Sequence, residues 1–325
     1  MERSEANTEM KKYDAIIIGA GHNGLTNGAY LAKAGLDVLV VEKNDYIGGA
    51  AVSRELEDGY WYSSCSYVCS MMRHVIHRDL DLTRHGLVLV PYLGTLAFGD
   101  NGTILTSYTA EGPNYNELKR HSAHDADAMF RLYADLERYS VLIRKTLLRT
   151  PPDPTSFKPR DIRELLFLAK TFWDLGEAEL YESIRFFTMS AAEFLDDYFE
   201  NDFIKAVMAT PGIIGTALGV DSPGSAYILL HHVMGDVDGN IGAWGLARGG
   251  MGAISNALAG ALKEHGGEIK TDAPVDQNLV KNGKACGIVL ENGDELYADI
   301  VVSNLDAKRT FTKIVERKDL PPGIF

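Results

Sequence analysis

The sequence predicts an α/β chain in two parts: a parallel sheet carrying an added β-meander, and an α+β part inserted between the two stretches that build the sheet. Three observations carry this. A strand, a glycine turn, a helix and a second strand follow one another from residue 14 to residue 42. A helical stretch and two Asn-Gly turns occupy residues 251–303, and the residues from about 85 to 240 read mainly as helices. With 325 residues the chain is long enough for two domains and a sizeable core. The expected division is discontinuous: 1–84 and 241–305 build the sheet domain. Residues 85–240 and 306–325 build the second, which reads as incomplete.

Residues 1–12 are polar and read as a frayed leader. Asp14 to Ile18 (DAIII) is rich in β-branched residues and predicts a strand buried on both faces. It runs into GAGHNG, Gly19 to Gly24. Leu25 to Ala34 has helical spacing and stops at Gly35, a helix-ending residue. Asp37 to Glu42 (DVLVVE) is a second buried strand. Val88 to Tyr108 alternates apolar runs with Gly-Asp-Asn-Gly, as a hairpin does. Residues 115–205 predict helices, interrupted by a loop holding Pro151, Pro152, Pro154 and Pro159. Within them Asp161 to Trp173 (DIRELLFLAKTFW) has a broad apolar face, which fits a buried or lid helix and also a membrane-surface helix. Met251, Ile254, Leu258 and Leu262 share one face of a helix ending at Gly266-Gly267. Val275 to Leu296 then predicts a three-stranded meander around Asn282-Gly283 and Asn292-Gly293, and Ile300 to Ser303 a closing buried strand.

Composition narrows the function. Hydrophobic residues at 46% and charged residues at 24% describe a globular protein rather than a disordered one. The net charge of −13 disfavours nucleic acid as a partner, because phosphate backbones need a basic face. Three cysteines exclude a disulfide scaffold and fit a reducing compartment. No secretory signal, transit peptide or long apolar run is evident, so the expected location is the cytoplasm, or the mitochondrial matrix for a eukaryotic chain.

The glycine turn is the strongest signal. Gly19, Gly21 and Gly24 follow a strand and open a helix, and Glu42 ends the next strand 18 residues after Gly24. Gly19 permits the tight turn. Gly21 lets backbone approach a diphosphate, and Gly24 allows close helix–strand packing. The amides of the helix start, around Ala20, His22 and Asn23, then face the phosphates, and the Glu42 carboxylate faces ribose hydroxyls. Gly48-Gly49 offers a second close approach to phosphate or flavin. The helix, meander and closing strand suit FAD better than a nicotinamide, whose domain would continue with further βαβ units.

DAIIIGAGHNGLTNGAYLAKAGLDVLVVEKNDYIGGA resembles the N-terminus of the phytoene desaturase-like FAD oxidoreductases, relatives of the flavin amine oxidases. PGSAYILLHHVMG (223–235) and GAWGLARGGMGAISNAL (242–258) resemble more specific blocks of the same group, and more distantly the carotenoid ketolases. The resemblance covers residue 13 to about 316. It implies a Rossmann-like FAD-binding domain plus an α+β substrate domain. FAD is implied against Gly19, Ala20, Gly21, His22, Asn23, Gly24, Glu42, Lys43, Gly48, Gly49 and Ala50, with the Val275 backbone on the adenine. Ala50 stands where relatives often carry Arg, so this position offers no guanidinium to a phosphate. Relatives continue past Phe325, so a C-terminal part is expected beyond it.

Other residues carry weaker signals. Cys65 and Cys69 (CSYVC) lack a second dinucleotide motif, so ordinary thiols are expected rather than a redox pair. His74 and His77 have no completing ligand, and no metal is expected. One of His231 and His232 fits a substrate pocket, with a structural role favoured. Gly249-Gly250-Met251-Gly252 resembles a phosphate loop but reads as close packing at a helix start. No catalytic acid or base emerges, in keeping with hydride transfer to a flavin. The expected activity is an FAD-dependent oxidoreductase acting on a lipophilic, isoprenoid or carotenoid-like small molecule, with peripheral membrane contact. The alternatives are a flavin-binding interaction or regulatory protein without turnover, and an NAD-dependent dehydrogenase selected by Glu42.

Overall fold

A computed structural model describes residues 11–108, 110–237 and 240–320. The leader read over 1–12 lies outside them except for its last two residues, and 321–325 lie outside them too. The described chain divides into two compact units. One comprises the residues up to Cys69, Arg73–Val90 and those from Gly245 on; the other comprises Ser70–Met72 and Pro91–Trp244.

The first unit is built on a six-stranded sheet. From one edge its order is Glu268–Lys270, Val38–Val41, Lys12–Ile18, Glu295–Ser303, Lys284–Leu290 and Val275–Lys281. The first four strands run parallel and the last two complete an antiparallel meander. Val38–Val41 is buried throughout, as its unbroken β-branched and leucine run requires. Two helices, His22–Lys33 and Gly252–Glu264, pack together, and Gly28 makes room: a Cβ there would lie 3.0 Å from Val40 Cγ2 and 3.3 Å from Leu262 Cδ1. Met251, Ile254, Leu258 and Leu262 are buried together, as their spacing predicts.

Two expectations are corrected here. The third meander strand and the closing strand are one continuous strand, Glu295–Ser303, which pairs antiparallel with 284–290 and parallel with the first strand. Its end is half-exposed rather than buried. Polar Asp299 sits mid-strand at an exposed position, where its carboxylate pairs with Lys12 at 2.5 Å. Residues 306–320 belong with this unit rather than with the helical one: Thr310 meets Ser303 hydroxyl to hydroxyl at 2.7 Å, and Ile314 is buried beside Tyr13 and Ile16.

The second unit is mainly helical, with a hairpin of Gly94–Phe98 and Ile104–Tyr108. Its core gathers around Phe186, stacked on Tyr139 at 4.3 Å and met edge-on by Phe194 at 4.9 Å. Pro159 is not part of the loop but the first residue of the helix Pro159–Trp173, where a missing N–H costs nothing. That helix is turned against the buried-helix expectation. Asp161 and Glu164 are its buried residues, and its apolar residues are exposed or half-exposed. Arg160 meets Asp161, and Arg149 and Arg163 meet Glu164, so paired charges occupy the inward positions.

Candidate functional site

The first strand has the meander strand 295–303 on one side and the strand 38–41 on the other, so its carboxyl end is the point where the chain's connections diverge. Open α/β sheets hold ligands at such a point. Ile18 is level with Val41 on one side and Ser303 on the other.

The glycine turn begins here. Gly19 has φ +99°, which only glycine adopts without strain, and its N–H donates to the Val41 carbonyl at 2.8 Å. Gly21 caps the helix, which starts at His22 with no capping side chain and no acidic residue in its first turn. The amides of that turn lack helical acceptors, and the helix dipole adds partial positive charge. Gly24 is fixed by packing: a Cβ there would stand 2.1 Å from the Gly19 carbonyl oxygen. Gly21 differs. Its φ of −67° suits any residue, and the nearest atoms to a Cβ are Asn304 Nδ2 at 3.4 Å and Gly49 Cα at 3.9 Å. The fold leaves room there that no side chain takes.

Gly48-Gly49 closes onto the turn. The Gly48 N–H donates to the Ala20 carbonyl at 2.9 Å, and Gly48 bridges Gly21 as a parallel strand pair. Both glycines have positive φ. Two glycine segments separated along the chain thus form one backbone-lined cradle. Gly49 and Ala50 are exposed, as are Asn23 and Lys43.

Glu42 is buried at 8% exposure, and its carboxylate holds the cradle together. Oε2 accepts the Ala20 N–H at 2.9 Å, and Oε1 accepts the Asn44 N–H and side-chain amide at 3.1 and 2.9 Å. The sequence reading gave it ribose hydroxyls alone; the structure adds a scaffolding role that leaves lone pairs over. Glu42→Ala is expected to leave the buried Ala20 amide unpaired and cost about 1–3 kcal/mol. Urea titration of that variant beside Glu42→Gln, which keeps an oxygen for the amide, measures this; equal losses in the two would remove the Ala20 contact from the account. The segment after Lys270 runs along Glu42 and Asn44: Glu42 donates to the Lys270 carbonyl, Ala273 to Glu42, and Asp272 to Asn44. Val275 follows Ala273 by two residues, half-buried at the head of its strand opposite Leu290.

His22 is partly buried, and burial pushes its imidazole below the usual histidine range. Its Nδ1 is buried and has no hydrogen-bond partner among the described residues. Burial disfavours the charged imidazole, so the positive potential at the turn comes mainly from backbone amides.

Asn304 was missed by sequence reasoning. Its N–H donates to the Ile18 carbonyl at 2.9 Å, and its side-chain nitrogen stands 3.1–3.9 Å from the Cβ positions of Gly19, Gly21 and Gly24. The available signal was that a parallel strand beside the first one ends on an amide residue.

The remaining candidates are structural. Gly249 to Gly252 follows a short strand, Gly245–Ala247, and packs closely at a helix start as expected. Ser63 Oγ accepts the Met251 N–H and Ser53 Oγ the Gly252 N–H, both at 3.0 Å, so these amides are taken. Cys65 is exposed and Cys69 buried, and no cysteine forms a disulfide. Ellman's reagent is expected to label Cys65 rapidly and Cys69 only on unfolding; equal rates for both would mean that this segment opens readily. The rings of His74 and His77 stack, 6.2 Å apart. His232 Nδ1 meets the Ile228 carbonyl at 2.9 Å, and Trp244 Nε1 donates to the His232 carbonyl at 3.0 Å. His124, Asp125 and Glu200 cluster closely enough for a cation. Asp125 there accepts the Glu200 and Asn201 amides at 3.0 Å, which is a helix-joining role.

The sequence pattern described as Flavin containing amine oxidoreductase matches residues 24–309. Among curated relatives, the chain is 35% identical to pyridine nucleotide-disulfide oxidoreductase domain-containing protein 2 of Rattus norvegicus, over 98% of this chain and 58% of that protein. It is 27% identical to the chloroplastic prolycopene isomerase of Daucus carota, over 96% of this chain and 49% of that protein. The chain thus spans about half the length of the curated relatives it matches. Among solved structures, putrescine oxidase bound to putrescine matches with a TM-score of 0.60 and 18% identity, covering 95% of this chain and 62% of that one, which shows the fold. The alternative of a nicotinamide dehydrogenase gives way to this match and to the meander that replaces further βαβ units. The chain belongs to the flavin containing amine oxidoreductase family, an FAD-dependent oxidoreductase family.

Proposed function

We propose that this chain carries the FAD-binding half-site of an oxidoreductase that transfers hydride between a lipophilic, isoprenoid or carotenoid-like molecule and flavin. One observation carries the reading: the open space over Gly21, walled by Gly49 and Asn304 and faced by uncapped helix amides. That space suits a diphosphate, which would be held by the backbone of Gly19, Ala20, Gly21, His22, Asn23 and Gly24. Gly48, Gly49 and Ala50 would line the approach to the flavin end, and Asn304 would donate its amide to a phosphate oxygen. Glu42 and Lys43 would meet the ribose, and the Val275 backbone the adenine. When bound, flavin supplies the two-electron acceptor. The protein's task is then to aim a substrate C–H bond and keep water out, which needs no titratable residue at the reacting carbon. The second unit, with its helical core, is the candidate substrate domain. The isoprenoid class draws support from a relative named for prolycopene. Peripheral membrane contact fits such a substrate, and a reducing compartment such as the cytoplasm fits a chain of this length with three cysteines.

The test is the visible spectrum of the purified chain, reconstituted with FAD, and chromatography of the cofactor that heat releases. A flavin spectrum with released FAD is the expected result, followed by anaerobic bleaching on addition of a polyene or terpenoid. A spectrum that no such compound bleaches favours flavin binding without turnover. That second reading is motivated by the lack of any acid–base cluster around the glycine turn among the described residues.

A further inference from the structure

Among the described residues, four buried side-chain atoms lack a hydrogen-bond partner: His22 Nδ1, Arg73 Nη1, His121 Nε2 and Asn278 Oδ1. The cost differs between them. An imidazole limits it by staying neutral, and an amide oxygen carries no net charge. A guanidinium stays charged across the pH range of folded proteins, so a buried N–H without an acceptor is most costly on Arg73. Arg73 is half-buried, and among the described residues no ion pair or side-chain hydrogen bond holds its guanidinium. Acids are not scarce, at 45 against 32 lysines and arginines in the whole chain. The nearby Arg78 and Arg84 meet Asp79 and Glu264 at 2.9 Å each. Of the three arginines in residues 73–84, Arg73 alone is left without one.

The backbone that carries it is fastened on both sides, in the unit that holds the glycine cradle. Arg73 caps the helix His74–Asp79, and its carbonyl accepts the Ile76 N–H at 2.9 Å. Asp79 is tied to the helix that opens at the cradle: Tyr30 donates to its carboxylate at 3.2 Å, and Lys33 donates to its carbonyl. Upstream, Ser66 donates to the Ala50 carbonyl at 3.0 Å, beside the glycine pair. Cys69 then exchanges backbone bonds with Gly245 at 2.8 Å, four residues before Arg73. Val75 and Ile76, on the helix that follows, are apolar and half-buried. The planar fork of a guanidinium suits a carboxylate, which it can hold through two parallel bonds. The cofactor diphosphate has the amides over Gly21, which leaves the substrate as the source of the anion.

We propose that Arg73 is a substrate-binding residue that holds the carboxylate of a lipophilic acid. The lipophilic body of that ligand rests on the function proposed above, and the carboxylate rests on Arg73.

The experiment is tryptophan-fluorescence titration of the full chain, with and without FAD, using retinoic acid and retinol, a polyene pair that differs in its end group. Wild-type chain is expected to bind the acid at least about tenfold more tightly than the alcohol. Arg73→Met, similar in length and uncharged, is expected to abolish that preference and leave retinol affinity unchanged. Its urea midpoint is expected at or above that of wild type, because an unpaired buried charge is removed and no bond is lost. Arg73→Lys, which keeps the charge without the fork, is expected to retain part of the preference. Equal affinity for acid and alcohol in wild type overturns the proposal, as does binding of neither. A preference that Arg73→Met retains overturns it too. So does an Arg73→Met midpoint well below that of wild type, which would show the guanidinium to be partnered within the fold. Loss of FAD affinity in Arg73→Met, with no acid preference in wild type, assigns the guanidinium to a cofactor phosphate and equally overturns it. A wild-type chain that prefers the acid yet binds no FAD upholds Arg73 and overturns the flavin reading instead.

Discussion

Gly21→Ala is expected to weaken FAD binding about a hundredfold while leaving the fold intact. The backbone at Gly21 has φ −67° and ψ 164°, which alanine adopts freely, and its Cβ would meet the Asn304 side-chain nitrogen no closer than 3.4 Å. Alanine is a poorer helix cap than glycine, so a stability loss below about 1 kcal/mol is expected. The added methyl would instead occupy the one direction from which a diphosphate can reach the amides of the helix start. It would hold the phosphates off the amides, and charge-assisted bonds to backbone amides are among the strongest a site can make. Fluorescence titration of FAD against the variant, beside urea unfolding of the apoprotein, separates the two effects. Wild-type affinity would show that the cofactor does not approach over Gly21, and the cradle assignment would fall with it.

The parts of this site that the sequence displayed are those built by neighbours along the chain. Gly19, Gly21 and Gly24 sit within six residues, between a strand and a helix whose own patterns are clear, and the turn they make is local geometry. Glu42 was found by its distance from them, yet its bond to the Ala20 amide was not, because that bond needs two adjacent parallel strands in register. Asn304 lies still further away in sequence. It reaches the glycine turn only because Ser303 is level with Ile18, a pairing that no local pattern encodes. The fusion of the last meander strand with the closing strand has the same origin. Asp299 interrupts the apolar run, and only the parallel neighbour, through Lys12, shows that the strand continues through it. Periodicity likewise revealed an apolar face on Pro159–Trp173 but not its direction. Direction was decided by Arg149, outside the helix, which supplies Glu164 with an inward partner.

Gly24→Ala is expected to act on the fold itself and lose about 3 kcal/mol of stability. Its Cβ would stand 2.1 Å from the Gly19 carbonyl oxygen and 3.3 Å from the Gly19 carbonyl carbon. These are backbone atoms, and they cannot step aside as a flexible side chain would. Gly19 is tied by its own N–H to Val41, and Ala20 next to it donates to Glu42, so the turn is fastened to the second strand on two sides. The helix must therefore move outward at its first turn. It cannot do so without disturbing Leu25 and Gly28, buried in the contact with the sheet and the helix Gly252–Glu264. Flavin affinity falls as well, but as a consequence of the displaced amides. The two glycines are thus separable by experiment: one variant keeps its urea midpoint and loses cofactor, and the other loses both. A Gly24→Ala chain that unfolds at the wild-type midpoint would mean that the helix start has freedom to shift, and the division of labour between packing glycine and ligand glycine would not hold.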